Sequence, residues 1–269
     1  MPEERDNSAG GRQLPLISVV FVTYNRVVTL GPTLTSFLSN TDYPRDRLEL
    51  VVADDGSPLE AQRAIREMGF DVCALSPVNR GMGANVNQGI EASRGDYLLH
   101  IQDDWVCVGP PNYLRRAVAV LETNNDVGLV ICRPHPRCLG ERRRAEVGDD
   151  AVRIFDNDPR RQVKMVGDHA YTDWPHLKRR LFIQTIGEYK ESRRMWETEL
   201  DYAQRVNAQT RYFIADIVGL DAFRHIGQAL SYNHGPLAGR IAAHFEKYSA
   251  IRPFVHLARR LKRRLSNSL

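Results

Sequence analysis

Gly95-Asp96-Tyr97-Leu98-Leu99-His100-Ile101-Gln102-Asp103-Asp104-Trp105 is the stretch on which the reading of this chain turns. Residues 97–101 are an apolar run of strand length that stops at two adjacent carboxylates, Asp103 and Asp104. Taken alone, Asp-Asp after a strand is a turn signal. Carboxylates at the C-terminal end of a parallel strand, however, lie where open α/β sheets bind ligands. Hard divalent cations such as Mg²⁺ or Mn²⁺ favour such oxygens and bridge them to phosphates. The neighbouring segments decide between a turn and a site.

Residues 16–22, Leu-Ile-Ser-Val-Val-Phe-Val, have the composition of a strand buried on both faces, and they end in Thr23-Tyr24-Asn25-Arg26. Helical spacing follows over 27–39, with Pro32 acceptable only near a helix start. A second strand over 48–53 ends in Asp54-Asp55-Gly56-Ser57-Pro58. Then come a helix over 60–68, a short strand over 72–75, and Asn79-Arg80-Gly81-Met82-Gly83 leading into a helix over 84–93. Strands alternating with helices at this spacing predict a mostly parallel sheet with right-handed crossovers. Thr23-Tyr24-Asn25, Asp54-Asp55 and Asp103-Asp104 then fall on one edge, and several polar strand ends on one edge make a crevice. The glycines at 81 and 83 do not complete G-x-G-x-x-G, and no Walker A loop is present.

The chain has 269 residues, 42% hydrophobic and 26% charged, which suits a soluble globular protein of one large or two small domains. No apolar run approaches the roughly 20 residues that span a bilayer. Residues 1–13 are polar, lack a signal-peptide core and read as a disordered tail, so a cytoplasmic location is expected. Cys73, Cys107, Cys132 and Cys138 are too few for a disulfide framework. Cys132, His135 and Cys138 supply only three zinc ligands, in a loop interrupted by Pro134 and Pro136. Of the +4 formal charge, six Lys or Arg residues with no acid lie in 252–269, leaving a net −2 elsewhere. That placement argues against nucleic acid as a partner. Phe254, Leu257, Ala258, Leu261 and Leu265 mark one apolar helical face over 252–265. A basic amphipathic helix of this kind either makes peripheral contact with the cytoplasmic face of an anionic membrane or packs on the domain.

In the second half, 113–121 has helical spacing and 127–132 reads as a strand, whereas 140–164 is charged and irregular, with 142–144 simplest as a solvated loop. Asp173-Trp174-Pro175-His176-Leu177 precedes the basic Lys178-Arg179-Arg180. Trp174 is either a stacking face for a sugar or a core residue. Glu197, Asp201 and Arg205 share a helical face as an ion ladder, with Glu199 on another face. Residues 211–215 predict a strand, followed by Phe223-Arg224-His225-Ile226-Gly227.

Several motifs now occur in order: Ile17-Ser18-Val19-Val20-Phe21-Val22-Thr23-Tyr24-Asn25-Arg26, Val51-Val52-Ala53-Asp54-Asp55-Gly56-Ser57, Asn79-Arg80-Gly81 with Ala84-Asn85, and Gln102-Asp103-Asp104. Together they resemble glycosyltransferase family 2. The resemblance implies an α/β, GT-A type fold, a Rossmann-like αβα sandwich with a mostly parallel central sheet. The expected boundaries are a GT-A domain over 14–235, with a nucleotide-sugar-binding half (14–105) and an acceptor and catalytic half (106–235), and a basic helical tail over 236–269. It implies an inverting, metal-dependent transfer, most simply of a hexose, from a nucleoside-diphosphate sugar, UDP-linked by preference. The acceptor would be a glycan or lipid-linked hydroxyl, in polysaccharide or glycoconjugate synthesis.

Carried over residue by residue, the resemblance sets Thr23, Tyr24, Asn25, Arg26, Asn79, Arg80 and Asn85 around the donor, with Asp54 or Asp55 on the base. Asp104 would hold Mn²⁺ or Mg²⁺ and Asp103 would face the ribose or sugar. Trp105 stands where the family's Asp-x-Asp pattern has its last acid. The family's Glu-Asp-x-Asp-Leu-x-x-Arg pattern, aligned on Arg205, puts Glu199 in the place of the catalytic Asp, with Glu197 as the competing base. Trp174, His176 and Asp201 fall toward the acceptor. His225, in a His-x-Gly element, is either a further metal ligand or structural. Two other readings stay open: a sugar nucleotidyltransferase, which would need a glycine-rich basic loop after the first strand, and a catalytically silent carbohydrate-binding protein on the same fold.

Overall fold

The structure, a computed structural model, describes residues 13–134, 140–165 and 168–227. Four parallel strands build the first half: β1 (Ile17–Thr23), β2 (Leu48–Asp54), β3 (Val72–Leu75) and β4 (Tyr97–Gln102), in the spatial order β3-β2-β1-β4. The helices α1 (Val27–Asn40), α2 (Leu59–Glu67) and α3 (Met82–Glu91) connect them. Every residue of β1 is buried, and its side chains alternate between two cores. Val19 and Phe21 join Leu30, Leu34 and Phe37 of α1 and Ile65 of α2, whereas Val20 and Val22 join Val86 of α3. A strand apolar on both faces needs cover on both, and the αβα layering follows. Pro32 lies inside α1, past its first turn. It forfeits one intrahelical hydrogen bond, and the apolar face packed on β1 holds the helix together.

The second half extends the sheet. It contains β5 (Trp105–Cys107), α4 (Tyr113–Thr123), β6 (Val127–Ile131), β7 (Glu141–Val147), β8 (Asp150–Phe155), β9 (His176–Arg179), α5 (Arg180–Ile186), α6 (Met195–Ala208), β10 (Phe213–Ile217) and β11 (Phe223–His225). The full sheet order is β3-β2-β1-β4-β9-β6-β10-β8-β7, and β5 pairs with β11 in a separate two-stranded sheet. β9 runs antiparallel between β4 and β6. Phe182 and Ile183 of α5 and Tyr202, Ala203 and Val206 of α6 cover the same face as α3.

One expectation is corrected here. The charged stretch over 140–164 is not simply a loop, because β7 and β8 form an antiparallel hairpin at the sheet edge. Val152 and Ile154 of β8 are buried, and Arg143 of β7 reaches Asp126 and Asn124. Its polar side is thus an edge strand's exposed face, a usual defence against edge pairing. Among the described residues Cys73, Cys107 and Cys132 form no disulfide. Among the described residues no helix is long and apolar enough to cross a membrane. The tail over 1–12, His135 and Cys138 of the cysteine-histidine loop, and the basic segment over 236–269 lie outside the described residues.

Candidate active site

The parallel registers bring the polar strand ends together. Thr23 at the end of β1 lies opposite Asp54 of β2, and Val22 lies opposite Gln102 of β4. Thr23 Oγ1 donates to Asp103 Oδ2 at 2.7 Å, and Thr33 of α1 donates to the Asp103 carbonyl at 2.9 Å. Arg26, at the mouth of α1, lays one guanidinium nitrogen 3.3 Å from Asp103 Oδ1 and 2.8 Å from Asp104 Oδ2. His225 Nε2 approaches the same Asp104 oxygen at 3.2 Å, carried there by the β5–β11 pairing and by the Ile226 N–H bonded to the Asp104 carbonyl. Both aspartates are buried. Burial pushes Asp103 up to about 7 against the pull of Arg26, with Asp104 adding to the rise.

This cluster fits a divalent cation in its donor chemistry. Asp104 Oδ1 is buried without a hydrogen-bond partner among the described residues, and its other oxygen shares a point with an imidazole nitrogen. Carboxylate plus imidazole suits Mn²⁺ and related ions. Arg26 now supplies the positive charge there, and the described residues hold no group of three His, Cys, Asp or Glu side chains arranged around one point. Gly227 closes the cluster: a Cβ at that position would overlap Asp104 Oδ2.

The crevice wall is braced by the other strand-end residues. Asp54 accepts from the Ser57 N–H at 2.9 Å and from Gln62 at 3.0 Å. Asp55 accepts from the N–H groups of Arg80 and Gly81 at 2.8 and 2.9 Å, and burial raises its proton affinity above the ordinary value. Asn85 is buried and donates to the Thr23 carbonyl at 3.0 Å. Asn25 takes a left-handed φ of 50°, which asparagine tolerates, and its N–H bonds Ser57 Oγ. Tyr24 is half exposed at the mouth, and Asn79 and Arg80 are exposed, with Arg80 paired to Glu191. Gly81 and Gly83 serve packing here. A Cβ on either would overlap the backbone of Ser192 or Lys190, so the loop before α6 sits directly on the start of α3.

Glu199 and Glu197 have different surroundings. Glu199 Oε1 accepts from the Asp173 N–H at 3.2 Å, and burial, then repulsion from the Asp173 carboxylate, pushes it up to about 7. Glu197 accepts from Ser192 and Arg194, and these bonds hold its carboxyl below the usual range. Asp201 is bound to Arg205 one turn on. Trp174, beside Asp173, is partly buried, 5.9 Å from Trp105, with the Arg133 guanidinium 4.5 and 5.0 Å from the two rings. Trp105 follows Asp104 and Trp174 follows Asp173 in the chain, so these contacts pack the two segments against each other. His176 is buried and stacked on His100 at 5.1 Å, its cross-strand partner, away from the crevice surface. Sequence reasoning gave no role to Asp173, Lys178, Tyr171 or Tyr189; their pattern in the chain offers no spacing signal, and only the fold brings them together.

A doubly covered sheet with carboxylates gathered at one strand edge is the arrangement of GT-A type glycosyltransferases, and solved structures share that fold. A mannosyltransferase of Pyrobaculum calidifontis in complex with GDP-Man and Mn²⁺ superposes with a TM-score of 0.56 at 17% identity, covering 93% of this chain and 70% of that one. Staphylococcus aureus TarS 1–349 in complex with UDP-GlcNAc gives 0.55 at 14%, covering 90% and 72%. The family model for glycosyl transferase family 2 matches residues 18–211, and the chain belongs to that family. The putative glycosyltransferase EpsH of Bacillus subtilis is 29% identical over 126 residues, 45% of this chain and 34% of EpsH. A glucosyl-dolichyl phosphate glucuronosyltransferase of Haloferax volcanii is 32% identical over 119 residues, 42% of this chain and 36% of the relative. The matches thus span about a third of the length of these curated relatives.

Proposed function

We propose that the chain transfers a sugar from a nucleoside-diphosphate sugar, UDP-linked by preference, to a hydroxyl of a glycan or lipid-linked acceptor, by single displacement with inversion. The observation that carries this reading is Glu199: a half-buried carboxylate, fixed by the Asp173 N–H and raised to about 7, with Trp174, next to Asp173 in the chain, packed against Trp105, next to Asp104. A general base works best with a proton affinity near the operating pH. The donor diphosphate lies toward Asp103, Asp104 and Arg26, with Tyr24 and Asn25 at the nucleoside end. Asp104 and His225 are the residues to hold Mn²⁺ or Mg²⁺, which when bound supplies electrostatic neutralisation of the leaving diphosphate. Glu199 takes the proton of the acceptor hydroxyl as that oxygen forms its bond to the anomeric carbon, and the bond from that carbon to the diphosphate oxygen breaks. An α-linked donor gives a β-linked product. The dolichyl phosphate in the name of the Haloferax relative supports a lipid-linked acceptor as one option.

A second reading, nucleotide-sugar binding without turnover, is favoured by Arg26 lying across Asp103 and Asp104. Both are tested by incubating the protein with UDP-linked sugars and GDP-mannose in Mn²⁺ and measuring free nucleoside diphosphate and, by calorimetry, binding. Turnover with Glu199→Gln reduced about 10²–10⁴-fold, at unchanged donor affinity, is the expected result. Undiminished turnover in Glu199→Gln removes the proposed base, and binding with no release favours the silent protein.

A further inference from the structure

Behind Glu199 lies a chain of buried polar groups that the displacement itself does not use. Asp173 is buried, one carboxylate oxygen accepts from Tyr171 Oη at 2.5 Å, and the other has no partner among the described residues. Tyr171 Oη lies 2.7 Å from Tyr189 Oη, and Lys178 Nζ lies 2.8 Å from the same Tyr189 oxygen. Each phenol has one proton to give. Because Tyr171 gives its proton to Asp173, Tyr189 must donate to Tyr171, and Lys178 must donate to Tyr189. The bonds therefore run one way, from a buried amine on β9 to a buried carboxylate beside Glu199. Tyr189 is fixed further by a parallel stack on Tyr202 at 3.9 Å and by main-chain bonds to Asn87 of α3.

A buried lysine and a buried carboxylate are costly without partners, and a buried polar network is rigid where its members are satisfied and costly where one is not. The unpartnered oxygen is on Asp173, the residue whose main chain grips Glu199. We propose that Asp173 is the positioning residue for Glu199. Its N–H orients Oε1, and its carboxylate, whose proton affinity burial raises and the Tyr171 bond and Lys178 charge hold back, acts on Glu199 as a like charge that keeps it a strong proton acceptor. The other groups around the pair are Thr172 at Glu199, Tyr202 on α6, and the neutral His176 and His100 beside Lys178 on the sheet. Among the described residues around Glu199, Asp173 is the acid that acts on it.

The inference rests on Glu199 being the base, but its test does not need turnover. Carbon-13 NMR of glutamate side-chain carboxyls, with the Glu199 signal assigned by its loss in Glu199→Gln, gives the titration midpoint of that group directly. In Asp173→Asn, which keeps the N–H and removes the charge, the midpoint is expected to fall by about one pH unit or more. Tyr189→Phe, which cuts the chain without touching Asp173, should move it in the same direction by a smaller amount, and serves if the asparagine variant does not fold. A midpoint unchanged in the folded variants overturns the proposal, because a residue that only packs would leave it where it was. If Glu199→Gln turns over normally while the midpoint moves, the base assignment fails and the coupling stands.

Discussion

Gly227 shows how one residue can set the geometry of the acidic cluster. Its Cα faces Asp104 Oδ2 and the Arg26 guanidinium so closely that a methyl group has no room. Asp104 cannot yield easily, because it is buried and held by Arg26 and His225. Gly227→Ala should therefore cost roughly 1–3 kcal/mol of stability as an overpacking change. It should also weaken Mn²⁺ binding, measured by calorimetry on the folded variant. Wild-type Mn²⁺ affinity in a folded Gly227→Ala would separate this glycine from the proposed cation site. At this scale much was readable from sequence. Thr23, Asp103 and Asp104 converge because the parallel strands β1 and β4 end on one edge, and that follows from alternation alone. His225 needed the β5–β11 pairing to reach Asp104, which no local pattern announces. Glu199 and Glu197 could not be separated by spacing, since what differs between them is a partner 26 residues away for Glu199 and near neighbours for Glu197.

Among the elements, β1 to β4 and their helices were legible because buried parallel strands are apolar on both faces and punctuated by polar turns. β9 was not. His176-Leu177-Lys178-Arg179 has two basic residues and a histidine in four positions, and it becomes a strand because β4 and β6 leave an antiparallel slot between them. β7 and β8 were hidden for a related reason: their charges are satisfied across strands and across elements. Arg153 of β8 lies opposite Asp216 of β10 and donates to it at 2.9 Å. Asp216 is 1% exposed at its side chain and Arg153 20%. Arg153→Ala leaves a buried carboxylate without this guanidinium and is expected to cost about 3–5 kcal/mol. Because it frees the register of the edge hairpin, hydrogen exchange should quicken first in β7 and β8. Uniform exchange across the sheet, or a loss under about 1 kcal/mol such as a surface pair gives, would mean the hairpin is held by its apolar side alone.

For the molecule as a whole, the αβα layering places one face's core under α1, α2 and α4 and the other under α3, α5 and α6, and the second is where polar groups were admitted. Composition does not reveal that, since the buried lysine, histidines and tyrosines count as ordinary residues until the fold encloses them. Their titration should be visible in stability. Burial lowers Lys178 from 10.5 to about 7. Between those values the unfolded chain holds a proton that the folded chain does not, so stability rises with pH there, by at most about 1.4 kcal/mol per pH unit. Asp103 and Glu199 act with the opposite sign, because their folded values of about 7 lie above the ordinary 3.8 and 4.5. They stabilise fully below about pH 4 and lose that contribution as pH rises to 7. His100 and His176, pushed well below 6.5 by burial, destabilise the fold on the acid side and offset the carboxylates. Above about pH 8 those four have finished titrating, and the buried tyrosines, raised above their ordinary value, hold their protons in both states until about pH 10. Lys178 then sets the slope until the buried Cys107 and Cys132 thiols, which burial pushes up from 9.0 to about 11 and about 12, begin to oppose it near pH 9. The melting temperature is expected to climb more steeply between about pH 7.5 and about pH 8.5 in the protein than in Lys178→Met. An equal climb in both proteins would mean that Lys178 keeps its proton when buried, drawn by Asp173 more strongly than burial repels it.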